Sequence, residues 1–239
     1  MVRMAAVESE SGERARWTAI VLAGQRPGRD PLAENFGGMF KALVPIDGQA
    51  MVARVVALLL SMDAIERVLL LGLPHDIALP HELDWLRTHP RIAWGESEGG
   101  ISTSILAALA PADTFWPVLV TTADHPLLDA AIVREFLEGS AKAALSVGVV
   151  RRRTILARYP GNRRTYLKFR DGAFSGANLF ALRDASVFPA LHFWAEAEAD
   201  RKKVWKLFRR FGPWLALRAM TRSISSAAAI RRAGRKLGV

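Results

Sequence analysis

Three apolar runs of the chain each stop at an abrupt turn: TAIVLAG at residues 18–24, ERVLLLG at 66–72 and PVLVTTAD at 117–124. Continuous apolar runs of this length, ended by glycine or by an acid, are the pattern of strands buried on both faces, as in a parallel sheet. Between them lie stretches with helical spacing. In GQAMVARVVALLLS (48–61), Met51, Val52, Val55, Val56 and Leu59 recur on one face. STSILAALA (102–110) opens with hydroxyl side chains suited to a helix start. RIAWGE (91–96) and AALSVGVV (143–150) read as further strands, and a helix is expected after Pro126 through about Leu137. Parallel strands require crossover connections, and these are right-handed. The expected fold is therefore α/β, a mostly parallel central sheet flanked by helices. RTYLKFRDGAFSGANLFAL (164–182) reads as a β-hairpin around Asp171 and Gly172, placed as a cap beside the sheet.

A chain of 239 residues has room for one main domain. The expected division is a flexible tail over 1–17, the domain over 18–200 and a basic helical extension over 201–239 packed on it. In that extension Val204, Leu207, Phe208 and Phe211 fall at helical spacing, and Gly212 and Pro213 end one helix and begin another. The net charge of +10 suggests a nucleic-acid binder until it is mapped. Residues 201–239 hold 12 Lys and Arg with no acid, and residues 151–170 hold 8 more with none. The rest of the chain is acidic, so no nucleic-acid partner is expected. Zero cysteines exclude disulfides, thiolate metal sites and a cysteine nucleophile. Apolar stretches are interrupted by Arg54, Arg67, Asp76 and Arg218, so no membrane span or stable insertion is expected. The polar amino-terminal segment lacks the apolar centre of a signal peptide, and a cytoplasmic location is the expectation.

In a parallel α/β sheet, ligands bind at the carboxyl ends of the strands. At the end of the first run, Gly24 and Gly28 allow backbone amides to approach an anion, and Arg26, Arg29 and Lys41 add cations. That suits a polyphosphate; two glycines that merely turn the chain, with solvated arginines, suit the same residues. It is not a Walker A loop, whose G-x-x-x-x-G-K-[ST] pattern is missing. Asp124 follows a strand apolar enough to be central. It reads either as a hard oxygen ligand for Mg²⁺ or as the cap of the helix after Pro126. His125 beside it reads as a polar neighbour of the site or a surface residue. No H-x-x-x-H pair supports zinc hydrolysis.

Taken in order, LAG with basic residues, KALVPIDGQAMVARVV, TTADHPLL and SGANLFAL resemble the MobA-like nucleotidyltransferases, over about Ala19 to Leu182. The resemblance implies a Rossmann-like sheet of the nucleotide-diphospho-sugar transferase, or glycosyltransferase A, type. It implies that Leu22, Ala23, Gly24, Arg26 and Gly28 form the nucleotide loop and that Lys41 is the lysine following it. Asp124 becomes the metal aspartate, and Gly176 with Asn178 the acceptor-side G-x-N. ESEGGISTSILAAL lies where the family reads the base. Ser102 and Ser104 are thus either hydrogen-bonding partners of base or ribose, or a plain helix start.

What this implies is a Mg²⁺-dependent transfer of NMP from an NTP to a phosphorylated small molecule, releasing pyrophosphate. Asp124 holds the metal, Lys41 and Arg26 stabilise developing charge, and Arg29 helps bind phosphate. Arg163, Arg164 and Lys168 either clamp an acceptor phosphate or form a solvated face. A homodimer is compatible with the sequence. A glycosyltransferase using a nucleotide sugar and a nucleotide-binding module without turnover are the alternative readings. Two departures stand out. Pro27 stiffens a loop with fewer glycines than the family pattern, and the late acidic motif supplying a second metal carboxylate has no counterpart in 201–239. Asp171, Asp184 and Asp200 are the substitutes to consider, each equally readable as a turn or surface acid.

Overall fold

The computed structural model describes residues 16–25, 28, 30–97, 99–110, 116–199 and 223–238. In chain order these hold β1 (Trp17–Leu22), α1 (Pro31–Glu34), a 3₁₀ turn at Lys41–Leu43, and a two-stranded ribbon of β2 (Pro45–Ile46) and β3 (Gln49–Ala50). There follow α2 (Met51–Leu60), β4 (Ile65–Leu71), α3 (Trp85–Thr88), β5 (Ile92–Gly95), α4 (Ile101–Leu109) and β6 (Val118–Thr122). The rest are α5 (Ala130–Gly139), β7 (Leu145–Arg151), α6 (Arg152–Arg158), β8 (Leu167–Phe169), β9 (Gly172–Leu182), α7 (Phe188–Ala199) and α8 (Ser226–Leu237).

One seven-stranded sheet organises the molecule, in the order β5-β4-β1-β6-β9-β7, with β8 paired to β9. The strands from β5 to β6 are mutually parallel, and β9 runs against both β6 and β7. Alternation along β1 divides the core into two layers. Trp17, Ala19 and Val21 face a cluster with Val52, Val55, Val56 and Leu59 of α2 and Val133 and Leu137 of α5. Ile20 faces the other side, with Ile105 and Leu109 of α4 and Leu191 of α7. The apolar stripe expected over 48–61 is thus the buried face of α2, which ends where Ser61 caps it. Each fully buried Val or Leu of that stripe contributes about 1.5–3 kcal/mol.

The hairpin differs from the expectation of a cap. Its turn is at Asp171 and Gly172, but β9, its long arm, is inserted in the main sheet between β6 and β7. Backbone pairing decides this, and an apolar alternation serves a cap and a half-buried strand equally well. The helix expected after Pro126 begins at Ala130, and its N-cap is Asp129, whose carboxylate accepts from the Ile132 N–H at 2.8 Å. Asp124 is therefore not that helix's cap. In the carboxyl-terminal region, 201–222 with Val204, Leu207, Phe208, Phe211, Gly212 and Pro213 lies outside the described residues. Beyond it, Ile224 is buried and accepts from the Arg170 N–H at 3.0 Å. Asp171 takes hydrogen bonds from the Ser226 N–H (2.8 Å) and hydroxyl (2.6 Å), tying the start of α8 to the hairpin turn.

Candidate functional site

The parallel register sets the site. Leu22 of β1 lies level with Leu71 of β4 and Thr122 of β6. One residue on, Ala23 donates to the Leu71 carbonyl (2.7 Å) and Ala123 donates to the Leu22 carbonyl (2.9 Å). Gly24 and Asp124 therefore leave the sheet side by side. The helices α2 and α4 lie on opposite faces, so their connections part at this edge and leave a crevice. A cleft of about 620 Å³ opens there, bounded by the ends of β1 and β6, by Lys41, by Ser97, Gly99, Gly100, Ile101 and Ser104, and by Asn178.

A chain of contacts crosses its floor. Asn178, held at φ +52°, donates from its amide to the Thr122 hydroxyl at 3.1 Å. The Thr122 side chain in turn hydrogen-bonds Asp124. Asp124 Oδ2 accepts from Lys41 Nζ at 2.7 Å, and Lys41 Nζ is 3.7 Å from Asp30 Oδ2. Burial alone would push the Asp124 carboxyl up, but the hydrogen bonds from Lys41 and Thr122 and the lysine's charge hold it below the ordinary carboxylate value. Burial likewise works against the Lys41 ammonium, yet Asp124, and then Asp30, raise it above the usual lysine value. Both groups are charged at neutral pH. His125 is lowered by burial, and by the positive charge of Arg164, against the pull of Asp124.

The residues expected from the sequence divide as follows. Leu22, Ala23, Gly24, Lys41, Asp124, Ser104 and Asn178 all line the cleft. Gly28 has φ +113°, in the left-handed region that favours glycine. Arg26 and Arg29 lie outside the described residues, as does Pro27. Ser102 is fully buried, and its N–H (3.0 Å) and hydroxyl (2.6 Å) are both given to Glu198 of α7. Ser104 donates to the Gly100 carbonyl at 2.7 Å and lies 3.0 Å from the Ser97 hydroxyl. The Gly176 carbonyl accepts from Arg164 at 2.9 Å, bringing one of the three hairpin-region cations to the G-x-N stretch.

Five polar cleft residues are new: Gln25, Asp30, Ser97, Thr122 and Glu198. Gln25 accepts from the Lys41 N–H at 2.9 Å and so fixes the lysine's backbone to the loop. Asp30 caps α1 through Oδ1, which accepts from the N–H groups of Leu32 (2.9 Å) and Ala33 (3.2 Å). The Asp-Pro pair at 30–31 is a readable helix start, but nothing local connects Asp30 with Lys41. Glu198 caps α4 from 96 residues away, because the cap position is Gly100, which has no side chain. A Cβ at Gly100 would stand 2.8 Å from the Glu198 carboxylate. Gly72 was equally unforeseen: with φ +90°, a Cβ on it would stand 2.7 Å from the backbone of Gly24.

Of the substitutes for a late carboxylate, Asp171 is engaged by Ser226, Asp184 accepts from the Ser186 N–H at 2.9 Å, and Asp200 lies outside the described residues. Among the described residues no group of three or more His, Cys, Asp or Glu side chains is placed to hold a metal. No helix among them is long and apolar enough to cross a membrane.

Comparison with solved structures gives a hypothetical transferase from Thermus thermophilus, at 32% identity over 93% of this chain and 89% of that one, with a TM-score of 0.75. It also gives the 4-diphosphocytidyl-2C-methyl-D-erythritol synthase of Anaerococcus prevotii, at 11% identity, 81% and 83% coverage and TM-score 0.54. The 2-C-methyl-D-erythritol 4-phosphate cytidylyltransferase of Francisella tularensis is similar at 11%, 78% and 81%, and 0.53, a likeness of fold. Comparison with curated protein sequences returns no match. Residues 19–220 match the profile of the MobA-like NTP transferase domain, which takes in most of β1, the loop after it, Lys41, Asp124 and Asn178 together. With the fold, the cleft and the profile in agreement, the chain belongs to the family of MobA-like NTP transferases.

Proposed function

We propose that the chain transfers NMP from an NTP to a small phosphorylated acceptor, a sugar, polyol or cofactor phosphate, and releases pyrophosphate. The observation that carries this reading is the line of contacts from Asn178 through Thr122 and Asp124 to Lys41, which joins the two sides of one cleft. An acceptor phosphate oxygen attacks the α-phosphorus, a new P–O bond forms, and the bond to the bridging oxygen breaks as pyrophosphate departs. The acceptor oxygen is already anionic at neutral pH, so no general base is needed. Rate then comes from positioning and from neutralising charge. Lys41 supplies a fixed positive charge, and Gly24 and Gly28 leave backbone within reach of phosphate. Arg26 and Arg29 act in the same loop, while Ser104 faces the base or ribose. Asn178 and Gly176, with Arg164 beside them, serve the acceptor.

The donors in the cleft suit Mg²⁺. The carboxylates of Asp124 and Asp30 and the amide oxygen of Asn178 are hard oxygen ligands, and a cationic group already rests against Asp124. Asp124 would hold the ion, which when bound offsets charge on the α-phosphate and the leaving pyrophosphate.

The test has two parts. Thermal unfolding with each of the four NTPs, with and without Mg²⁺, identifies the nucleotide; at 100 times its dissociation constant a ligand adds about 2.7 kcal/mol. Pyrophosphate release is then followed with that NTP against a panel of acceptor phosphates. Asp124→Asn keeps size and removes charge, and is expected to stay folded while losing at least about 100-fold in rate, the scale of one preorganised electrostatic group. Normal turnover by Asp124→Asn, or stabilisation by nucleotide sugars alone, overturns the reading.

A further inference from the structure

The sequence places its substitutes for a second metal carboxylate late in the chain, yet the structure offers one before Lys41. Asp30 enters the cleft from the N-cap of α1. Its Oδ1 is engaged by two backbone N–H groups, while Oδ2 faces the lysine at 3.7 Å. Asp124 reaches the same ammonium from β6 at 2.7 Å. Two neighbouring carboxylates do not by themselves make a cation site; here a positive charge already rests between them. That charge belongs to a side chain whose expected task is to meet phosphate. Asp171 and Asp184, the alternatives among the described residues, do not line the cleft.

We infer that Asp30 is the second carboxylate of the divalent-cation site, acting with Asp124 directly or through the ion's own waters, and that the Lys41 ammonium holds this position in the ligand-free chain. The inference rests on the Mg²⁺ reading of Asp124 above. It also explains how the site dispenses with a carboxylate from the basic end of the chain. Mg²⁺ keeps several waters and needs one or two protein carboxylates beside the substrate phosphates. One of the two is then supplied by the phosphate loop itself. Metal and triphosphate are accordingly read by the same short segment.

Mn²⁺ binding to the full chain, measured from the EPR signal of the free ion, tests this without reference to turnover. Asparagine caps a helix about as well as aspartate, so Asp30→Asn keeps α1 and the fold, which thermal unfolding verifies. The expected result is a Kd for Mn²⁺ weakened about 10-fold or more in Asp30→Asn, with Asp171→Asn unchanged. Lys41→Gln removes the competing ammonium and is expected to tighten Mn²⁺ in the absence of nucleotide. Adding Asp30→Asn to that variant should weaken it again. If Asp30 served only the lysine, the second change would have no effect in the Lys41→Gln background, and that result overturns the inference. So does an Asp30→Asn Kd equal to the wild type's while Asp124→Asn abolishes binding; this outcome leaves the reading of Asp124 standing. A wild-type chain that binds no Mn²⁺, with or without a non-hydrolysable triphosphate, overturns both.

Discussion

His125 shows how one side chain records its surroundings. It follows Asp124 directly, but burial and the nearby Arg164 outweigh that carboxylate and lower its pKa below the ordinary histidine value of 6.5. Its Nδ1 is buried without a hydrogen-bond partner. The folded chain thus binds fewer protons here than the unfolded chain as pH falls below 6.5. Stability associated with this group is present above that pH and is lost on acidification from 6.5 toward the lowered folded value. The unfolding midpoint of the wild type is expected to fall between pH 7.5 and 5.5 more than that of His125→Gln. An equal fall in midpoint for wild type and His125→Gln over this pH range would remove His125 as the cause. The Lys41–Asp124 pair works in a different window. With the carboxyl lowered and the ammonium raised, its contribution holds from above 3.8 to below 10.5, and so does not confuse the measurement.

Among the elements, the loops after β1 and β4 touch through backbone alone. At φ +90°, Gly72 has no room for a Cβ, which would meet the Gly24 N and Cα at 2.7 Å. Gly72→Ala therefore incurs a left-handed conformation, costing about 1–2 kcal/mol, and also displaces the loop after β1. The expected result is a lowered unfolding midpoint together with weakened NTP binding. A variant that loses stability but binds NTP as before would show that the loop moves independently of β4. This contact was hidden in the sequence, where ERVLLLG shows only a strand that ends. The strand ends themselves were legible, because long apolar runs broken by Gly24, Gly72 or Asp124 leave few alternatives. Pairing of β9 with β6 was not, since backbone hydrogen bonds carry no side-chain signal. Nor was α7: FPALHFWAEAEA scatters its large apolar residues instead of lining them up in one stripe. Glu198 remained hidden with it, and so did the cap it gives α4.

Across the whole molecule, the two basic segments behave differently from the acidic body. The first runs through α6 into the hairpin, where Arg151 donates to the Asp171 carbonyl at 2.9 Å and lies over the Phe174 ring at 4.9 Å. The described end of the second is fastened to that same turn by Asp171, whose carboxyl is held below its usual value by the hydrogen bonds from Ser226. Asp171→Ala removes both bonds at once. Hydrogen exchange in the first turn of α8 is expected to quicken, while exchange in β1 and β6 stays slow, because the two core layers are untouched. Uniformly faster exchange would mean that the carboxyl end supports the whole sheet.

The backbone contact between Gly24 and Gly72 also sorts the cleft by its capacity for change. Where main chain rests on main chain, substitution has nothing to adjust, and the glycine side of the cleft is locked to the register of β1, β4 and β6. The opposite rim is made of side chains, with Ser97, Ser104, Glu198 and Asn178 meeting from three separate stretches of sequence. Libraries aimed at changing what the cleft binds therefore belong on that rim, and the glycine side is the part to leave as inherited.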